Sequence, residues 1–85
     1  MPKAELVTDV TAGPGGVMTD EVGVITGVLT LRTELNNGSA LLRVQYKDAE
    51  EWYTITGSKV PLKNPADLDA LHRVAVALIN RPEEE

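Results

Sequence analysis

With 85 residues the chain is read as one domain, residues 1–85, of a size that supports only a modest core. It has no cysteine, which excludes disulfides, thiolate metal sites and cysteine nucleophiles, and its single histidine, His72, excludes a multi-histidine metal site within one copy. The formal charge is −5, but Glu83, Glu84 and Glu85 contribute three of those charges; eight basic and ten acidic side chains remain, a balance of −2 that gives no bulk attraction to nucleic acid or to an anionic membrane.

No long apolar run follows Lys3, so the N-terminus reads as neither a signal peptide nor a membrane-spanning helix, and the cytoplasm is the expected compartment. Residues 4–11 alternate weakly. Within the first twenty residues this stretch is expected as an edge strand or a mobile arm. Gly13-Pro14-Gly15-Gly16 predicts a turn or hinge, since proline fixes φ and glycine admits turn geometries closed to other residues. A phosphate-binding loop would need a following Lys-Ser/Thr and a helix, and neither pattern is there.

Val22 to Leu35 is the longest β-like segment, rich in Val, Ile, Leu and Thr. The Asn37-Gly38 pair after it is the strongest local signal in the chain, because Asn-Gly takes the two positive φ values of a type I′ hairpin loop. With that loop, Leu35 faces Ala40, Thr33 faces Leu42, Leu31 faces Val44 and Leu29 faces Tyr46, all on one side of the sheet. Glu34, Arg32, Thr30 and Val28 share the other side with Leu41, Arg43, Gln45 and Lys47, so a slip by one residue would mix the two sets. If Asp48–Glu51 is a four-residue connection, Trp52–Thr56 is the next strand, with Tyr46 opposite Tyr53 and Trp52 opposite Lys47.

Lys59–Lys63 is extended around Pro61. Asn64-Pro65 then starts a helix, with asparagine as the cap, proline in the first position and Asp67 at the positive end. Leu68, Leu71, Ala75 and Leu78 form its apolar stripe, widened by Val74, Val76 and Ile79, and Pro82 with the acidic tail 82–85 stops it. The expected class is α+β: a three- to four-stranded antiparallel β-meander with one C-terminal α-helix packed on one face. In that assembly the Val22–Val28 half of the long strand lacks a partner unless the N-terminal segment or a second copy supplies one. A homodimer is expected, with Ile25, Val76 or Ile79 between the copies.

The solvent side of the sheet gathers the candidate binding residues, Trp52, Arg43, Arg32 and Lys47. Arg32 and Arg43 fall opposite each other, which is unfavourable unless an anion or Glu34 lies between them. A Trp52–Lys47 cation-π contact would explain that pair without a ligand, whereas tryptophan beside arginine is also the composition of interface hot spots. The same face is the candidate for a nucleic-acid-binding regulator, since aromatics and cations on an open sheet are how such modules work. Asp48, Glu50 and Glu51 lack the further ligands and the turn glycine of a calcium loop and read as a solvated acidic loop. His72 reads as a boundary residue, and Ser39 and Ser58 as turn residues, so no paired nucleophile and base is visible and no enzyme is expected, an intersubunit site near His72 being the one enzyme reading kept open. No catalytic residue, cofactor or metal is assigned. The functional expectation is a small non-enzymatic protein-binding or adaptor module, homodimeric, with a protein as its partner.

Overall fold

The computed structural model describes residues 4–81, so the acidic tail at 82–85 lies outside the described residues. Five strands and a helix follow one another: β1 (Ala4–Thr19), β2 (Gly23–Asn36), β3 (Ser39–Tyr46), β4 (Tyr53–Thr54), β5 (Val60–Pro61), a single 3-10 turn at Pro65–Asp67, and α1 (Leu68–Ile79). The fold is α+β. Its antiparallel sheet has the order β1-β2-β3-β4, with β5 attached to β3.

The β2–β3 hairpin has the register that the alternation predicts, from Leu35 opposite Ala40 to Leu29 opposite Tyr46. Its loop residues take the two positive φ values of a type I′ turn, 55° at Asn37 and 81° at Gly38. Leu29, Leu31 and Val44 are completely buried on the core side.

Residues 4–11 form a strand, as one of the two sequence readings has it, but the strand does not end there: residues 4–19 form a single long strand along β2. Pairing runs from Ala4 opposite Leu35 to Ala12 opposite Gly27, then resumes at Val17 opposite Ile25, so residues 13–16 stand opposite Thr26 alone. The Gly-Pro-Gly-Gly run is therefore a wide bulge inside a strand, not a turn between elements. A bulge leaves the proline without a ladder hydrogen bond to donate, and it lets Gly16 adopt a φ of 68°. On both sides of the bulge β1 pairs with the first half of β2, from Gly23 to Val28, so that segment does not argue for a second copy.

The same kink brings the end of β1 round to β4. Asp20 N–H donates to Thr54 O at 2.9 Å, Thr56 N–H donates to Met18 O at 3.0 Å, and Thr19 bridges to Ile55. Since β4 pairs with β3 on its other side, the ladder runs from β1 through β2, β3 and β4 and closes on β1. The β3–β4 register also differs from expectation. Val44, not Tyr46, lies opposite Tyr53, because the connection runs over residues 47–52 and turns at Asp48 with φ 69°. A shift of two residues keeps each side chain on its face, so Tyr53 and Ile55 still pack against the core.

Asn64 caps the helical segment as expected, its Oδ1 accepting from Ala66 N–H at 3.0 Å with Pro65 in the first position. The helix is rolled relative to the predicted stripe. Leu68, His72 and Ala75 are buried, and Leu71, Val76 and Ile79 pack at the margin, whereas Val74 and Leu78 are 56% and 67% exposed. Beyond α1 the chain docks on the edge of β1, where Thr11 N–H donates to Asn80 Oδ1 at 2.9 Å and Arg81 N–H donates to Thr11 O at 2.6 Å. Ile25 lies in the core of its own chain, so it is not available between copies. No helix among the described residues is long and apolar enough to cross a membrane.

Candidate functional site

Alternation along β1, β2 and β3 sends Asp9, Arg32, Glu34, Arg43 and Lys47 to the side of the sheet away from α1. Arg32 and Arg43 are opposite partners, and Glu34 resolves their repulsion. Its Oε2 accepts from Arg32 Nε and Nη2, each at 2.9 Å, and lies 3.2 Å from Arg43 Nε. These side chains are a quarter to a third exposed, so screening limits each pair to on the order of 1 kcal/mol or less. Arg43 Nη1 also donates to Thr54 Oγ1 at 3.2 Å, which ties the cluster to β4.

Trp52 lies at the rim of this group, half-buried. Its ring sits 4.2 Å from Arg32 Cζ, so the cation-π contact is with Arg32 and not with Lys47. The longer β3–β4 connection is the reason: it moves Trp52 two positions back along β3, and the indole reaches across β3 to β2. Lys47 is paired instead with Asp9, Nζ to Oδ2 at 2.8 Å, while Thr30 Oγ1 donates to Asp9 Oδ1 at 2.9 Å. The Lys47 ammonium and the Thr30 hydroxyl hold the Asp9 carboxyl below its ordinary value, and Asp9 in turn raises Lys47. All four predicted residues thus share one face, where Arg32, Arg43 and Trp52 form one cluster and Lys47 belongs to a separate pair. The three cations share two carboxylates: Glu34 serves both arginines and Asp9 serves Lys47, so the Arg32–Glu34–Arg43 group keeps one net positive charge.

Two shallow depressions of about 360 and 340 Å³ flank Glu34. The first opens between Glu5, Arg32 and Asn36, the second between Asn37, Ser39, Arg43 and Lys59. Their lining can bind by charge and hydrogen bonding. Ser39 has no imidazole beside it, because His72 is buried on the helix side of the sheet.

His72 is a core residue, 6% exposed, and not the boundary residue that its sequence neighbours imply. The hydroxyls of Thr8 and Thr33 lie 2.7 Å from Nε2 and 2.8 Å from Nδ1, so both ring nitrogens have partners on adjacent strands. Burial lowers its pKa. These two bonds pull His72 inward and thereby roll Val74 and Leu78 outward.

That roll exposes a second surface. Ala70, Val74, Ala77 and Leu78 lie on the outward side of α1, and the ion pair between Arg73 Nε and Asp69 Oδ2, at 3.2 Å, marks its polar edge. The signal was present in composition: between Leu68 and Ile79 only Asp69, His72 and Arg73 are polar, which is more apolar surface than one small sheet can cover. Among the described residues no group of three or more acidic, histidine or cysteine side chains is arranged to hold a metal ion. No family model, curated protein or solved structure matches the chain.

Proposed function

We propose that this chain is a small non-enzymatic protein-binding module that acts as a homodimer. The observation that supports it is the outward side of α1, where Val74 and Leu78 are more than half exposed in line with Ala70. A helix that is apolar on both sides is buried on both sides in its working state. The sheet face is the second surface of the proposed module, on the opposite side of the sheet from α1. Its cluster of Trp52, Arg32 and Arg43 around Glu34 is already ordered by internal pairing, and preordered side chains lose less entropy on meeting a partner. Lys47 extends that surface beside Asp9. A homodimer joined through its helices would present two such faces pointing away from each other, which is the geometry of an adaptor. We place the module in the cytoplasm, where a cysteine-free chain is indifferent to the reducing environment.

The test pairs two variants. Val74→Glu with Leu78→Glu should leave the melting temperature nearly unchanged and convert a dimer, read by equilibrium sedimentation, into a monomer. Trp52→Ala removes a cation-π contact of about 0.5 to 1 kcal/mol, so it should stay folded and dimeric while losing the proteins that the wild-type chain recovers from its host. A monomeric wild type across the micromolar range removes the dimer. Recovery of the same proteins by wild type and Trp52→Ala removes the sheet face as the binding surface.

A further inference from the structure

One edge of β1 is open along part of its length. Lys47 N–H donates to Val28 O, so the even-numbered residues of β2 turn their backbone groups to β3 and the odd-numbered ones, from Leu29 to Leu35, turn theirs to β1. Their partners Val10, Thr8, Leu6 and Ala4 are thereby used on β2. The backbone groups of Glu5, Val7, Asp9 and Thr11 point the other way. Thr11 fixes that direction: its N–H donates to Asn80 Oδ1 and its carbonyl oxygen accepts from Arg81 N–H, so the chain itself starts an antiparallel rung there. From Asp9 back to Glu5 that rung is not continued, and the N–H and C=O groups of Glu5, Val7 and Asp9 have no partner among the described residues. All three residues are exposed.

A row of unpaired backbone groups on an exposed edge is a template for an added strand, and the side chains along it decide which strand fits. A second copy laid antiparallel and centred on Val7 would set each Glu5 opposite the other copy's Asp9, acid against acid, which disfavours self-pairing. A strand of different composition escapes that penalty. Val7 is 52% exposed and offers an apolar neighbour to a β-branched side chain opposite it. Asp9 is matched by Lys47 and suits a neutral residue. Glu5 stands opposite Glu34, another acid, and the arginines that hold Glu34 form no ion pair with Glu5, so a lysine or arginine suits that position.

We propose that the open edge of β1 binds an extended segment of another protein by antiparallel strand addition, with a neutral residue opposite Asp9, a β-branched apolar residue opposite Val7 and a basic residue opposite Glu5. The main chain supplies the affinity and these three positions the selectivity. This edge is separate from the Trp52 cluster and from the outward side of α1, and it stands whether or not either of those binds.

Amide exchange in the free chain checks the edge first. Glu5, Val7 and Asp9 should exchange faster than Thr8 and Val10 by about tenfold or more. Equal protection of all five at every concentration would show that the chain fills its own edge, and protection that grows with concentration would show that a second copy does; either overturns the proposal. The binding probe is the capped peptide Thr-Val-Ile-Val-Lys, whose Thr, Ile and Lys amides face β1 in this register. At about 2 mM it should shift the amide resonances of Glu5 through Asp9 and slow exchange at Val7. N-methylation of its isoleucine removes a bond to β1 and should weaken binding about tenfold, whereas N-methylation of the valine before it, whose amide points away, should change it by less than about twofold. Replacing its lysine with glutamate should weaken binding several-fold. Absence of shifts along β1, or equal loss from the two methylations, overturns the proposal. Shifts confined to Trp52, Arg32 and Arg43 would place the peptide on the sheet face, overturning the edge and leaving the sheet-face reading standing.

Discussion

Glycine marks both ends of the β1–β2–β3 sheet, and it does different work at each. At Asn37-Gly38 the chain reverses between adjacent strands, so the required backbone is set by the turn itself. At Gly13–Gly16 the chain does not reverse; it widens within β1 against an uninterrupted β2, and its geometry is set by residues ten positions away in sequence. The local environments differ accordingly. A side chain at Gly38 would meet open space, whereas a Cβ at Gly16 would lie 2.5 Å from Val24 Cγ1 and 2.7 Å from the Ile25 carbonyl oxygen. A hairpin glycine is a conformational requirement, and this bulge glycine is a conformational and a packing requirement together.

The largest effect is therefore expected at the bulge. Gly16→Val adds a clash with backbone to a disfavoured φ, and should destabilise by roughly 3 to 5 kcal/mol, read as a fall in the urea midpoint. Because the kink is also what brings Met18 and Asp20 to β4, amide exchange at Asp20 and Thr56 should accelerate in the same variant. Gly38→Val meets no neighbour and bears only the strain of a β-branched residue at φ 81°, about 1 to 2 kcal/mol. Equal losses at the two glycines would erase the distinction between them.

Between the two ends the β1–β2 ladder is regular, and there His72 gives a pH dependence. Burial lowers its folded-state pKa below the ordinary value of about 6.5, so on acidification the unfolded chain takes up the proton first. Stability is accordingly complete above about pH 6.5 and declines as the pH falls below it, and Thr8 and Thr33 are the first contacts affected. Melting temperatures measured from about pH 7.5 to 5 should show that decline in the wild type and a flatter profile in His72→Gln. The smallest effect is expected beside the hairpin loop. Asn36→Ala is exposed and outside the two positive-φ positions, and should change stability by less than about 0.5 kcal/mol.

The same distinction between local and distant determinants explains what the sequence disclosed. The β2–β3 register and the placement of Glu34 between Arg32 and Arg43 follow from alternation around one turn, so they were legible. So was the Asn64 cap, which is decided within three residues. The bulge was not, because Gly-Pro-Gly-Gly has the same composition whether the chain turns or merely widens; only the continuation of β2 decides between them. A four-residue connection after β3 would set Trp52 against Lys47, and no local pattern shows that Asp48 turns with a positive φ. The burial of His72 is equally non-local: its partners are 64 and 39 residues away. The helix ridge was half legible, since the excess of apolar residues was evident but the roll depends on His72.

The return of α1 and the residues after it to β1 also has a consequence for how fast the molecule assembles. Thr8 meets His72 across 64 residues, and Thr11 meets Asn80 across 69, so the last described segment closes onto the first. Such contacts form only after nearly the whole chain has been gathered, which slows folding relative to a bundle of local contacts. The β2–β3 hairpin, with its tight loop, is suited to form in the transition state, and helix docking to follow it. Conservative substitutions at Ala75 or Ile79 should then raise the unfolding rate and leave the refolding rate nearly constant, whereas those at Leu31 or Val44 should slow refolding.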